Sequence, residues 1–104
     1  MADEETLELG GKIELTGFSS VENGQMIVIK KIVGNYAKKF SEIDDSFDGL
    51  KLTMKSIHGD ASNKFELRAL VNIAGGPYNS KLEDRNIFFG IDKVLKNVEM
   101  QIGK

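Results

Sequence analysis

Polar and apolar residues alternate along four segments of the chain, and this period of two predicts four β-strands. In the first segment, Ile13 and Leu15 alternate with Glu14 and Thr16, and the strand ends near Gly17. Because the turns between the last three strands are short, those strands are predicted to form an antiparallel meander. These three strands are predicted over residues 50–55, 65–73 and 78–82.

Apolar residues recur every three or four positions in two longer segments, which predicts two amphipathic helices. The first helix is predicted over residues 23–40, with Asn23 favoured as its N-cap and a capping box over residues 19–22 as the alternative. Asp84 or Asn86 is predicted to cap the second helix. The apolar stripes are Met26, Ile29, Val33, Tyr36 and Phe40 in the first helix and Phe88, Ile91, Leu95, Val98 and Ile102 in the second.

The resulting order of elements is β-α-β-β-β-α, which defines an α+β fold. Since each strand has one apolar face and each helix one apolar stripe, we expect a four-stranded sheet with both helices packed on one face. The side chains expected beneath the helices are Ile13, Leu15, Leu52, Met54, Leu67, Ala69 and Val71. The opposite face is expected to be exposed to water and to carry Glu14, Lys51, Thr53, Lys55, Glu66, Arg68 and Asn72.

Charge is unevenly distributed along the chain, whose net charge is −2. Four of the 16 acidic residues lie in residues 1–11, which contain no Lys or Arg: Asp3, Glu4, Glu5 and Glu8. The remaining acids are therefore slightly outnumbered by the 14 Lys and Arg. We interpret residues 1–11 as an acidic flexible tail and residues 12–104 as a single domain, whose mild positive charge permits contact with RNA.

No segment has the pattern of a membrane helix or a signal peptide. No apolar run approaches the ~18 residues that a membrane-spanning helix needs, and the first residues are acidic where a signal peptide is basic. Cysteine is absent from the sequence. We therefore expect a cytoplasmic protein without membrane contact.

Residues that could carry catalysis are sparse. His58 is the single histidine and lies beside a predicted turn, so a role as zinc ligand is disfavoured. Asp44, Asp45 and Asp48 lack the spacing of a calcium-binding EF-hand and are interpreted as a turn. Residues 75–77 lack the Lys-Ser/Thr of a phosphate loop. We expect no enzyme, no cofactor and no metal.

Lysine side chains are the remaining functional candidates. Composition alone favours an ordinary solvated surface for them. Tyr36, Phe65 and Phe88 fall on core stripes, so no aromatic platform for stacking bases is predicted. The lysine set that we hypothesise to contact RNA is Lys30, Lys31, Lys38, Lys93, Lys96 and Lys104.

The first helix is apolar over a wider arc than a surface helix requires, because Ile27, Val28 and Ile32 lie beside its main stripe. A monomeric protein seldom exposes a large apolar patch. The segment around Leu7 and Leu9, the second helix, or a second copy of the chain must therefore cover this arc. The last option makes a homodimer one hypothesis.

The order of elements, the turns and residues 85–104 together resemble the ribosome hibernation promoting factor family, also called ribosome-associated inhibitors or ribosomal subunit interface proteins. That family shows Glu-Asp-Met-Tyr-x-Ala-Ile-Asp, followed by a helix that ends in a Gln-Leu-x-Lys-like run. Phe88 occupies the position of the family's tyrosine and Gly90 that of its alanine, and residues 91–92 and 101–104 match the pattern. The segments that resemble the family upstream are residues 13–17, 38–40 and 65–76.

The resemblance implies a stress-response protein of the short type that binds the small ribosomal subunit. Such members occupy the channel of mRNA and transfer RNA, where helix-borne Lys and Arg contact rRNA phosphates. This sequence departs from the family at Asn97 and Met100, which stand at usually basic positions. The leading hypothesis is an rRNA-binding modulator of translation that acts by occlusion. The alternatives are a protein-interaction or self-associating domain on the same scaffold and, less favoured, a double-stranded RNA-binding domain.

Overall fold

The computed structural model describes residues 6–10, 12–57 and 64–103. In chain order the elements are β1 (Thr6–Glu8), β2 (Ile13–Thr16), α1 (Asn23–Ile43), β3 (Gly49–Ser56), β4 (Phe65–Asn72), β5 (Tyr78–Asp84) and α2 (Ile87–Ile102). The predicted α+β order is confirmed, with one additional strand before the predicted first strand.

All five strands belong to one sheet in the order β1-β2-β3-β4-β5. β2 and β3 are parallel and are connected through α1, whereas every other neighbouring pair is antiparallel. In the register, Leu15 lies opposite Leu52, and Leu67 lies opposite Met54 on one side and Leu82 on the other. Since successive side chains point to opposite faces, these leucines share the face that the helices cover.

The additional strand β1 lies within the segment predicted to be a flexible tail, and it makes the sheet five-stranded where four strands were expected. It pairs with β2 so that Thr6 lies opposite Thr16, and the two hydroxyl oxygens are 3.0 Å apart. Gly10 adopts a φ of 73°, a left-handed conformation that suits glycine in the turn to β2. All three β1 residues are exposed, so the strand is held by backbone pairing more than by burial.

The two helices differ in how they begin. The N-cap of α1 is Glu22, whose side chain makes no capping hydrogen bond, so neither predicted cap of this helix is correct. α1 also continues to Ile43, beyond the predicted end at Phe40, because no helix-breaking residue intervenes before the Asp44 turn. In α2 the Asn86 side chain accepts a hydrogen bond from the Phe89 N–H at 2.9 Å, which confirms one of the two predicted caps.

A single core lies between the sheet and the helices, as expected. The buried side chains are Leu15, Phe18, Ile29, Val33, Tyr36, Ala37, Phe40, Leu50, Leu52, Met54, Leu67, Ala69, Val71, Ile73, Ile87, Ile91, Val94, Leu95 and Val98. Ile13, which we expected to be buried, is half-buried because it is the first residue of β2 and lies beyond the residues that pair with β1. α2 lies close to β4, since a Cβ added at Gly90 would be 2.5 Å from Cδ1 of Leu67.

Candidate nucleic-acid interface

The helical layer, meaning α1 and α2, has an excess of positive charge. The carboxylates on the two helices are Glu42, Asp92 and Glu99. Twice as many cationic side chains lie on the same two helices, and all are exposed: Lys30, Lys31, Lys38, Lys39, Lys93 and Lys96. Exposed lysines on two neighbouring helices create a field that attracts a polyanion.

Polar contacts across the seam between the helices hold their relative position. The Tyr36 hydroxyl donates to Oδ1 of Asp92 at 2.9 Å, and Lys39 Nζ lies 3.9 Å from the Glu99 carboxylate. Lys39 Nζ also lies 5.1 Å from the centre of the Tyr36 ring, within reach of a cation-π contact. Burial raises the pKa of the Tyr36 hydroxyl well above its ordinary range, and the hydrogen bond to Asp92 raises it further. The seam thus fixes the spacing of lysines on the two helices.

The lysine set is distributed across the helical layer and does not converge on one point. Lys30 lines a hollow beside β1, and Lys38 lines another hollow beside β2. Lys93 lies on the other side of the layer, where its Nζ is 3.2 Å from Oδ2 of Asp84 at the end of β5. Lys31 and Lys96 are exposed. Lys104 and His58 fall outside the residues that the structure describes.

Lysines in the set differ in whether they already have an anionic partner. Of the lysine set, only Lys93 forms an ion pair in the described part of the chain, through Asp84. Among those same residues, the structure shows no salt bridge for four members of the set: Lys30, Lys31, Lys38 and Lys96. An external anion can therefore bind these four without breaking a salt bridge to any described residue.

The open face, meaning the sheet face opposite the helices, carries balanced charge. Its cations are Lys51, Lys55, Arg68 and Lys81, and its carboxylates are Glu8, Glu14, Glu66 and Glu83. The Glu66 carboxylate lies 3.6 Å from Arg68 and 3.8 Å from Lys81. The polar residues predicted for this face are confirmed as half-buried or exposed, and their charges largely compensate one another.

Two apolar residues on the outer surface of α2 were missed by the sequence analysis. Phe89 is 64% exposed and Met100 is 69% exposed. With Lys93 and Lys96 they form a stripe spaced by four, three and four residues, which places all four on one helix face. The helical spacing from Phe89 to Lys93 was the signal that could have identified this stripe. An aromatic ring therefore does accompany the lysines, contrary to our expectation.

The apolar arc of α1 is only partly covered. Ile32 is half-buried and packs against the core, near the groove between the helices. Ile27 remains 64% exposed and Val28 42% exposed. Within the described chain, therefore, neither the N-terminal strand nor α2 covers Ile27 and Val28 fully.

The described residues contain no cluster of three or more His, Asp or Glu side chains that could hold a metal ion. The burial of these residues leaves one hydroxyl largely desolvated, that of Tyr36, which is hydrogen-bonded to Asp92. In the same part of the chain, neither helix has the length and apolar character needed to cross a membrane.

The sequence matches no family profile and no curated protein, but several solved structures share its fold. The N-terminal domain of Thermus thermophilus Protein Y has a TM-score of 0.58 at 20% sequence identity, covering 72% of this chain and 79% of that one. A ribosomal subunit interface protein from Coxiella burnetii has a TM-score of 0.60 at 11% identity, covering 86% of this chain and 89% of that one. At these identities the likeness establishes the fold, and at that level it confirms the predicted resemblance to the hibernation factor family.

Proposed function

We propose that this chain is a ribosome-associated protein that binds rRNA of the small ribosomal subunit and modulates translation by occluding its channel. The observation that carries the proposal is the excess of lysines confined to the helical layer. It occurs on a fold shared with a ribosomal subunit interface protein. The site of action would be the cytoplasm, where ribosomes translate.

The mechanism is electrostatic. Four exposed lysines, which form no salt bridge within the described residues, would each neutralise an rRNA phosphate and release a counterion, so that affinity falls steeply as salt rises. Lys93 would exchange the Asp84 carboxylate for a phosphate. The free-energy cost of that exchange is small, since an exposed ion pair contributes about 1 kcal/mol or less to stability.

Occlusion follows from the bulk of the domain. The molecule measures 41 × 26 × 24 Å along its principal axes, and a rigid body of this size excludes a second polymer from the space it occupies. No chemical step is required. Asn97 and Met100 are exposed on α2, at positions where the family that this sequence resembles usually has Lys or Arg. We therefore expect weaker rRNA binding than a more basic relative would show.

Sedimentation tests this function directly. Cell extract is separated on a sucrose gradient and each fraction is probed for this chain, in growing and in starved cells. Migration with small subunits or whole ribosomes, lost when salt is raised, is the expected result. Migration as a free small protein under both conditions would overturn the proposal.

A second candidate function is self-association through α1, favoured by the exposure of Ile27 and Val28. In that case the purified chain forms a dimer at high concentration in light scattering, and Ile27→Ser returns it to the monomer. A wild-type chain that stays monomeric removes this candidate. Ribosome sedimentation would be unaffected by Ile27→Ser if the two functions are separate.

A further inference from the structure

The open face contains a shallow hollow of about 480 Å³ above β3, β4 and β5. Side chains that line it from this face are Lys51, Thr53, Arg68, Leu70, Asn79 and Lys81. The hollow lies on the opposite side of the sheet from the helical layer, so its role is separate from the lysine set. Its volume lies within the range of about 300–1,000 Å³ typical of small-molecule sites.

Strand register places three cations and no carboxylate in this hollow. Across β3, β4 and β5, one row of side chains reads Lys51, Leu70, Asn79, and the adjacent row reads Thr53, Arg68, Lys81. Carboxylates border the patch on two sides: Glu14 of β2 lies opposite Lys51, and in the next row Lys55 is followed by Glu66 and Glu83. The open face is balanced as a whole, but this two-by-three patch is not.

Arg68 and Lys81 lie directly opposite each other on antiparallel strands. Like charges in this arrangement repel, because their Cβ atoms are only about 5 Å apart. The single Glu66 carboxylate lies at 3.6 Å from Arg68 and 3.8 Å from Lys81, so one anion compensates two cations. Lys51 has no ion pair in the described part of the chain. A second anion above Arg68 and Lys81 would therefore relieve the repulsion.

An apolar side chain lies beside these cations. Leu70 is half-buried on the otherwise polar open face, between Lys51 and Asn79 in its row. It offers an apolar surface against which a planar ring can pack, and the Asn79 amide at the end of the row can both donate and accept hydrogen bonds. The patch thus has a cationic half, formed by Arg68 and Lys81, and an apolar half with a polar edge.

We propose that this hollow binds a small phosphorylated ligand with a planar ring, the chemistry of a mononucleotide. The phosphate lies against Arg68 and Lys81, where the arginine fork can bind two phosphate oxygens at once. The ring lies on Leu70, with its edge towards Asn79. The ligand would thus occupy the sheet side of the domain while the helical layer stays free.

Titration with AMP, inorganic phosphate and adenosine, each followed by amide NMR shifts and calorimetry, tests this site. We expect saturable AMP binding that shifts the amide resonances of residues 68–70 and 79–81. Inorganic phosphate and adenosine should each bind more weakly than AMP. Arg68→Gln should weaken AMP binding by about tenfold or more, because it removes a charged hydrogen-bond donor. Lys81→Gln provides a second variant should Arg68→Gln disturb the fold.

The matched control is Lys55→Gln, which removes a cation from the same face outside the hollow and should leave AMP binding unchanged. The pair Lys38→Glu with Lys96→Glu, on the helical layer, should also leave it unchanged, so the two proposals can fail separately. Equal affinity for phosphate and AMP would overturn the proposal, as would an equal effect of Lys55→Gln and Arg68→Gln. Binding of a single-stranded RNA but not of AMP would overturn it in favour of a polymer site.

Discussion

The helical layer and the open face both present cations to water, but they differ in how those charges are compensated. On the open face, four cations face four carboxylates, and Glu66 lies within 4 Å of two of them. On the helices, six lysines face three carboxylates, and two of the three are engaged in contacts within the molecule. The number of lysines is therefore a poor guide to a binding surface, whereas the number left without an internal partner is informative.

The difference has a structural origin. In the sheet, the fixed register holds Glu66 on the same face as Arg68 and Lys81, so this carboxylate compensates both cations at short range. On the helices, the outward positions of α1 and α2 face solvent and have few neighbours. Charge on these positions contributes little to folding, which leaves it free to serve binding.

Core and open faces of the sheet can be compared through two leucines of β4. Leu67 is fully buried beneath the helices, and Leu70 is half-buried on the open face. Leu67→Ala should cost about 2–5 kcal/mol of unfolding free energy, because it leaves a cavity in the core. Leu70→Ala should cost about 1 kcal/mol or less, as is usual for partly exposed positions. Urea unfolding measures both, and equal losses would contradict the assignment of faces.

Two glycines sharpen the contrast between the inner and outer surfaces of the helical layer. A Cβ at Gly90 would lie 2.5 Å from Cδ1 of buried Leu67 and 3.1 Å from Cβ of Asp84, whereas one at Gly34 would meet nothing within 4 Å. Gly90→Ala should destabilise the fold by about 1–3 kcal/mol through overpacking. Gly34→Ala should stabilise it by about 0.5–1 kcal/mol, since alanine favours helix. Stabilisation by both changes would show that α2 does not lie close to the sheet.

The seam that holds the two lysine-bearing helices together can be weakened by Tyr36→Phe. This change should cost about 1 kcal/mol at neutral pH, because the hydrogen bond to Asp92 is lost. The pKa of Tyr36 is raised by burial and by Asp92, so the folded chain keeps its phenol proton when the unfolded chain loses it at pH 10.0. This contribution is fully present below pH 10 and is lost as pH rises beyond it.

Urea unfolding of both proteins, at neutral pH and above pH 10, checks this sign. The stability difference between wild type and Tyr36→Phe should shrink in the alkaline range, because only the wild type loses the contribution. A difference that grows with pH would contradict the proposed cause of the pKa shift.

The acidic N-terminus should have the smallest effect. Deletion of residues 1–5 removes Asp3, Glu4 and Glu5 but leaves the β1 pairing, so the melting temperature should change little. If the helical layer binds rRNA, losing these carboxylates should strengthen binding at low salt and have no effect at high salt. Calorimetry and ribosome pelleting at two salt concentrations provide the measurements. Unchanged binding at low salt would reject an inhibitory role for the acidic N-terminus.

Much of the fold was predictable because its strands and helices have clear hydrophobic periods. β3 and β4 alternate over eight residues each, and the α2 stripe spans the whole helix. β1 was not predictable, since three exposed residues with one leucine carry almost no pattern. The N-cap of α1 at Glu22, which makes no capping hydrogen bond, was also not predictable, because residues that are better suited to capping lie nearby in the sequence.

The candidate site was less predictable than the fold. That the lysines of α1 and α2 are exposed followed from the helical stripes, but their internal partners did not. The ion pair of Lys93 with Asp84 joins a helix to the end of β5, and a contact of this kind depends on tertiary packing. The patch around Arg68 and Lys81 depends on the register between β4 and β5, which the sequence alone does not define.

Ribosome binding by two charge-reversal pairs tests the central claim most directly. Lys38→Glu with Lys96→Glu alters the helical layer, and Lys51→Glu with Lys55→Glu alters the open face by the same charge. Both proteins should fold, since exposed lysines contribute little to stability. We predict that the helical pair lowers the salt slope of small-subunit binding by about 2 or more and strips the chain from ribosomes, while the open-face pair has a much smaller effect. A larger effect of the open-face pair, or no effect of either pair at low salt, would contradict the account.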